Sequence, residues 1–222
     1  MSKLYIVATP IGNLEDITLR ALRILKEVDF VLCEDTRVTK VLLNKYEIKT
    51  ATLSYFQHSK ITKVNKIIDL LKKGNDFALV SDAGTPGISD PGNKLIEQVI
   101  GVLKNSVEII TIPGPSAVVS ALSISGLPTD KFIFYGFLPH KKGKEKILQE
   151  IINNKFTSVF YESTHRILKT LNKLQELGLT KQVVICRELT KKFETVYRGT
   201  IDEVLKQLNN DTIKGEFVVI IN

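Results

Sequence analysis

Val80-Ser81-Asp82-Ala83-Gly84-Thr85-Pro86-Gly87-Ile88-Ser89-Asp90-Pro91-Gly92 is the stretch whose reading decides the fold. Just ahead of it, residues 76–81 form a short apolar run, the pattern of a strand buried on both faces. At its far end Asp90-Pro91 reads as a helix start, with Asp as N-cap and Pro in the first turn, where its missing N–H costs nothing. The stretch holds three glycines and two prolines, with Ile88 as the one large side chain beyond the strand. Glycine lets backbone N–H and C=O groups approach a ligand, and proline stiffens the loop so that little entropy is lost on binding. A loop of this kind, at the carboxyl end of a strand in an open α/β sheet, is where such folds bind small molecules. A plain tight turn needs half this many Gly and Pro. Their density and the two Asp residues favour a ligand loop.

Working outward, strands alternate with helices on both sides. Residues 3–9 form a strand, followed by a turn at Pro10-Ile11-Gly12-Asn13 and a helix over 17–27 with Ile17, Ala21, Leu22, Ile24 and Leu25 on one face. A strand at 29–33 ends in Glu34-Asp35-Thr36-Arg37, and a helix follows to about Tyr46. A strand at 51–54, an amphipathic helix at 62–73, a helix from the loop to about Leu103 and a strand at 107–112 complete this half. The alternation predicts a largely parallel, doubly wound sheet. Pro113-Gly114-Pro115-Ser116-Ala117 is the expected hinge, leading into a small-residue helix over 116–124. Beyond it, strands are expected at 132–137, 157–161, 183–187, 195–199 and 216–221. Helices follow the basic loop 139–146, open at Glu162-Ser163-Thr164-His165-Arg166 with Ser163 or Thr164 as cap, and occupy 201–208. Short links between adjacent strands predict a mixed sheet here. The expectation is two α/β domains, 1–114 and 115–222.

A chain of 222 residues is long enough for two such domains. No apolar run spans a bilayer, and the N-terminus opens into a strand rather than a signal peptide. Cys33 and Cys186 each sit in an apolar, strand-like run, which predicts buried free thiols in a reducing cytoplasm. His58, His140 and His165 are scattered, so no metal site is expected. Lys+Arg 31 against Asp+Glu 24 gives +7, an excess that fits a polyanionic partner. Gly114-Pro115-Ser116-Ala117-Val118 lacks the second glycine of a nucleophile elbow. The glycine loop has no Lys-Ser/Thr, which excludes a nucleotide P-loop, and Thr9-Pro10-Ile11-Gly12-Asn13-Leu14 lacks the glycines of a dinucleotide fold.

A set of motifs runs through the chain in order. It begins with Val7-Ala-Thr-Pro-Ile-Gly-Asn-Leu-Glu-Asp16, Glu34-Asp-Thr-Arg37, the loop 81–92 and Pro113-Gly-Pro-Ser-Ala117. It continues with Tyr135-Gly-Phe-Leu-Pro139, Tyr161-Glu-Ser163 with His165-Arg166, Arg187-Glu-Leu-Thr-Lys191 with Glu194, and Gly215-Glu216. In these motifs the chain resembles the bacterial ribosomal RNA small-subunit methyltransferase I family of the tetrapyrrole methylase superfamily. Two differences stand out. The first turn is less glycine-rich than in tetrapyrrole methylases proper, and the Asn-Glu pair usual after His58 is replaced by Ser59-Lys60-Ile61.

The resemblance implies two α/β domains with S-adenosyl-L-methionine in the cleft between them, a homodimer, and 2′-O-methylation of a cytidine ribose in the decoding region of 16S rRNA, as naked RNA or assembled 30S subunit. Competing readings are a methyltransferase for a small tetrapyrrole-like substrate and a non-catalytic ribosome-assembly factor. The expected cofactor residues are Pro10, Asp82, Gly84, Thr85, Ser116 and Ala117, with Asp82 accepting a hydrogen bond from an ammonium or hydroxyl and Gly84 leaving room for a close ligand. For RNA the candidates are the flexible basic loop Lys141, Lys142, Lys144 and Lys146, with Arg37, Arg166 and Arg187 at strand ends. The general base is sought in Asp35 first and Glu34 second, both leaving a strand at the carboxyl edge of the sheet; Arg37 could hold either carboxylate. The rival is Lys191, if burial lowers its pKa far enough for it to act as a neutral amine.

Overall fold

The structure, a computed structural model, describes residues 1–55, 61–90 and 92–222. The chain divides into two compact units, Met1–Ser116 and Ala117–Asn222.

The first unit carries β1 (Ser2–Val7), β2 (Phe30–Cys33), β3 (Ala51–Ser54), β4 (Phe77–Leu79) and β5 (Val107–Ile112). They form one all-parallel sheet in the order β3-β2-β4-β1-β5. The connecting helices are α1 (Leu19–Glu27), α2 (Thr36–Lys45), α3 (Ile61–Lys72) and α4 (Gly92–Leu103). Strand side chains alternate between the faces. Leu32, Phe77 and Leu79 pack with Val64, Ile67, Leu95 and Val99 of α3 and α4, while Val31, Ala78 and Val80 pack with Ile24, Leu25, Leu42 and Leu43 of α1 and α2. Helix α1 starts two residues later than its apolar face suggests, because Thr18 takes the N-cap and accepts from the Ala21 N–H at 3.1 Å.

The second unit opens with α5 (Ala117–Ser125), and its mixed sheet has the order β6-β7-β10-β8-β9. The strands are β6 (Phe132–Phe137), β7 (Thr157–Ser163), β8 (Val183–Arg187), β9 (Thr195–Gly199) and β10 (Glu216–Ile221), and only β6–β7 is parallel. Helices α6 (Lys144–Asn153), α7 (Ile167–Glu176) and α8 (Ile201–Asn209) cover it through Leu148, Ile151, Leu171, Leu174, Val204 and Leu208. Two local expectations fail here. Strand β7 runs on to Ser163, because Glu162 and Ser163 pair with Phe217 and Glu216. Neither Ser163 nor Thr164 then caps α7: Arg166 takes that position without a side-chain cap, and the Thr164 hydroxyl donates to the Gly215 carbonyl at 2.6 Å. The basic loop is also shorter than expected, since Gly143 turns the chain at φ +86° and Lys144 and Lys146 fall inside α6.

Both cysteines are buried and free. Burial raises both thiols, Cys186 to about 11, so neither is a reactive thiolate at neutral pH. Among the described residues no helix is long and apolar enough to cross a membrane.

Candidate active site

The sheet order creates an opening at its carboxyl edge. After β2 the chain turns into α2 on one face, and after β4 it runs to α4 on the other. Adjacent strands whose connections leave on opposite faces part at their ends, and ligands bind in that crevice. Glu34 and Asp35 end one wall and Asp82 the other; the Asp35 N–H donates to Asp82 Oδ1 at 3.2 Å across 47 residues of sequence.

The loop 80–92 is built by its own polar groups. Thr9 and Gly84 exchange backbone hydrogen bonds of 2.9 and 3.0 Å, and Thr9 Oγ1 donates to the Ser81 carbonyl at 3.1 Å. Gly84 therefore gives its backbone to Thr9 rather than to a ligand. A Cβ there would meet only Ile11 Cγ2 at 3.4 Å and the Pro115 carbonyl at 3.7 Å, so φ +81° rather than ligand clearance demands glycine. Clearance governs Gly92, where a Cβ would lie 2.9 Å from the Gly87 nitrogen. Asp90 accepts from the Gly87 and Gly92 N–H groups at the start of α4; Pro91, expected in the first turn of that helix, lies outside the described residues. The Thr85 hydroxyl donates to the Pro115 carbonyl at 3.2 Å, joining the loop to the segment that carries Ser116. Pro10 follows β1 and Ser116 follows β5, so both stand at the same edge as Asp82, Gly84 and Thr85; Ala117 opens α5 of the second unit.

The two neighbouring carboxylates have opposite surroundings. Asp35 is the N-cap of α2 and accepts from the Arg37 N–H at 2.8 Å. Arg37 also grips it with Nε at 3.0 and 3.1 Å and Nη2 at 2.6 Å. These bonds hold its carboxyl at about 2, which makes it a weak base. Glu34 goes the other way. Burial raises its pKa, and the nearby charges of Asp82 and Asp90 raise it further. It lines a cavity of about 10 Å³, room for about one water, with Tyr55, Ser81, Pro86 and Asp90. Asp90 was marked in the sequence only as one of the loop's two Asp residues and as a helix cap, and Tyr55, just beyond the strand expected at 51–54, was not singled out.

A prediction follows for Asp35→Asn, which keeps capping ability and removes the charge. Catalysis at this edge should stay within about threefold of wild type, since a group of pKa near 2 contributes little as a base. The depressed pKa means stability present above the ordinary value of 3.8 and lost as pH falls through about 2. The variant should lack that acid-side loss, which urea titrations between about pH 4 and 2 measure. A hundredfold fall in turnover would restore Asp35 as the base.

In the second unit several sequence expectations need correction. Burial pushes the Lys191 ammonium down, but hydrogen bonds to Glu188 and Glu216, both at 2.8 Å, outweigh it and the net shift is upward. A neutral Lys191 base is therefore not supported. Arg187 ends β8 but is buried, with its guanidinium donating to the Lys214 carbonyl, Tyr197 Oη and Asp211. Arg166 donates to the Leu138 and Pro139 carbonyls and pairs with buried Glu162, and Lys144 pairs with the same carboxylate. Arg187, Arg166 and Lys144 are thus anchored side chains rather than mobile phosphate contacts. Lys141, Lys142 and Lys146 are exposed, as is Arg37. His58 lies outside the described residues.

Comparison with known proteins bears on this geometry. Residues 3–205 match the family Tetrapyrrole (Corrin/Porphyrin) Methylases. A cobalt precorrin-4 methyltransferase of cobalamin biosynthesis superposes with a TM-score of 0.71 at 20% identity, covering 99% of this chain and 94% of its own. The uroporphyrin III C-methyltransferase from Thermus thermophilus gives 0.65 at 16% identity, covering 100% and 97%. Much nearer in sequence is the ribosomal RNA small subunit methyltransferase I of Thermotoga maritima, 45% identical over 222 residues that cover 100% of this chain and 99% of the relative. The protein of the same name from Halalkalibacterium halodurans is 50% identical over 219 residues, covering 98% and 75%. With the tetrapyrrole-methylase fold and motifs matched from the first strand to the last, the chain belongs to the ribosomal RNA small subunit methyltransferase I family.

Proposed function

We propose that this chain transfers a methyl group from S-adenosylmethionine to small-subunit ribosomal RNA in the cytoplasm, at the 2′-hydroxyl of a cytidine ribose in the decoding region. The observation that carries the reading is the 45% identity along the whole length to the Thermotoga maritima relative, against 16–20% to corrinoid and porphyrinoid enzymes of the same fold.

The donor set at the sheet edge suits the cofactor. A ligand bearing a sulfonium, an ammonium and ribose hydroxyls needs acceptors, and Glu34, Asp82 and Asp90 supply carboxylates there in a chain of net charge +7. Asp82 holds the cation or a hydroxyl; Pro10, Thr85, Ser116 and Ala117 contribute walls, and Gly84 sets the loop's path. Bound there, the cofactor supplies an electrophilic methyl group on sulfur. With the cofactor bound, Glu34 would take the proton of the ribose 2′-hydroxyl, the oxygen that would receive the methyl group. Arg37, at the exposed rim, meets an RNA phosphate while keeping Asp35 away from the proton. The protein works as a homodimer in this reading, which sedimentation checks.

The test is incubation with methyl-labelled cofactor and, in parallel, 30S subunits, naked 16S rRNA and a porphyrinoid. Label is expected in the RNA alone, at one alkali-resistant cytidine. Label in the porphyrinoid, or in none of the three, would defeat the proposal.

A further inference from the structure

We infer that the groove between α6 and α7 is a docking site for the phosphodiester backbone of RNA. This rests on the reading above that RNA is the substrate, and adds the surface that receives it. The groove encloses about 770 Å³ and takes its character from His140, Lys141, Lys144, His165, Arg166 and Lys169 at one end. Buried Glu162 fixes two of these, with Arg166 Nε at 3.1 Å from Oε1 and Lys144 Nζ at 3.4 Å from Oε2. Two cations on one carboxylate leave one positive charge held in place. Lys141 and Lys169 are exposed and have no ion-pair partner among the described residues. Four cations against one carboxylate thus give this end a net charge of three. At the other end Lys173 pairs with both Glu145 at 3.5 Å and Glu176 at 3.4 Å, which leaves that end with a net charge of minus one.

The lining points to a backbone rather than a small molecule. Pockets for small ligands are mostly apolar and enclosing. Here the groove is open to solvent and does not enclose a ligand, and His140, Lys141, His165 and Lys169 on its lining are all exposed. Phosphate oxygens are contacted by lysine and arginine on open surfaces, and such contacts orient RNA without reading its sequence. The two anchored cations form a rigid floor, and the two free lysines reach out from it.

The test is Lys141→Gln with Lys169→Gln, beside a control pair, Lys26→Gln with Lys45→Gln, that removes equal charge from exposed positions on α1 and α2. With 30S subunits as substrate, the groove pair should raise KM about tenfold while kcat and cofactor affinity stay within about twofold. Its slope of log affinity against log salt should fall by about 1.4–1.8, the release expected for two phosphate contacts. The control pair should keep the wild-type slope and KM. An unchanged slope and KM in the groove pair, beside an active wild type, would overturn the site alone. Equal falls in both pairs would also overturn it, because the attraction would then be diffuse. A wild type with no affinity for RNA would overturn the site and the proposed function together.

Discussion

Replacing Glu34 by glutamine is expected to slow single-turnover methyl transfer to small-subunit RNA by about 10²- to 10⁴-fold, the range that a positioned general base supplies. A ribose hydroxyl is a weak nucleophile at neutral pH, and Glu34 stands where the raised basicity lies: burial lifts its pKa first, and Asp82 and Asp90 lift it further. Glutamine keeps the shape and removes the proton acceptor. The same shift gives the variant a stability signature of known sign. A folded-state pKa above the unfolded value contributes stability that is fully present below the unfolded pKa and is lost as pH rises through the folded pKa. At pH 7 the ionised Glu34 therefore costs stability. Glu34→Gln should melt at or above the wild-type temperature at pH 7, and the gain should shrink as pH falls below the ordinary carboxyl value of 4.5. Activity lost with stability held or gained marks a catalytic group. Wild-type turnover, or parallel losses of activity and melting temperature, would remove Glu34 from the chemistry.

Glu162→Gln is expected to destabilise the protein by about 3 kcal/mol, lowering its melting temperature by about 6–12 °C. The Glu162 side chain is fully buried and pairs with Lys144 and Arg166, each 16% exposed. It also accepts from Thr170 Oγ1 at 2.7 Å and from the Ser163 N–H at 2.9 Å. Glutamine leaves two nearly buried cations without a counter-charge, and breaking a buried pair from one side is costly because the remaining charge stays desolvated. The small residual exposure of the cations holds the figure to the lower part of the usual range. A double-mutant cycle isolates the interaction. In a Lys144→Met background one of the orphaned cations is gone, so the Glu162→Gln penalty should fall by at least a third. Strictly additive losses would mean that Glu162 acts by packing alone. Urea unfolding followed by circular dichroism measures both, and added salt should change the penalty little, since buried pairs are poorly screened.

The alternation of apolar strands with amphipathic helices was legible from the sequence, and so were several boundaries. Strands β3, β5, β6, β8, β9 and β10 occupy the expected residues; β5, β8, β9 and β10 are bounded at both ends by polar or turn-forming residues that give the backbone no reason to continue. Where an end depends on a partner, the expectation slipped. Strand β7 gained two residues from pairing with β10, and α7 lost the side-chain cap expected of it. Within the site, the loop 80–92 was marked by its glycines, its prolines and its two Asp residues. The reason for its glycines was not: Gly84 is set by backbone angle and Gly92 by contact with Gly87.

The sequence by itself determined two α/β halves, one with a parallel and one with a mixed sheet, and a polar, glycine-rich turn at the carboxyl end of a buried strand. Periodicity and turn chemistry act over a few residues, so a linear reading captures them. Tertiary structure alone decided that Glu34 and Asp35, neighbours in the chain, would differ in chemistry. The strand order brings Asp82 and Asp90 to one of them, and a helix start with Arg37 to the other. It also decided that Arg166 and Lys144 would be fixed by one buried carboxylate while Lys169 beside them makes no ion pair among the described residues. Protonation and charge pairing follow from distance in space and from burial, and neither is carried by position along the chain.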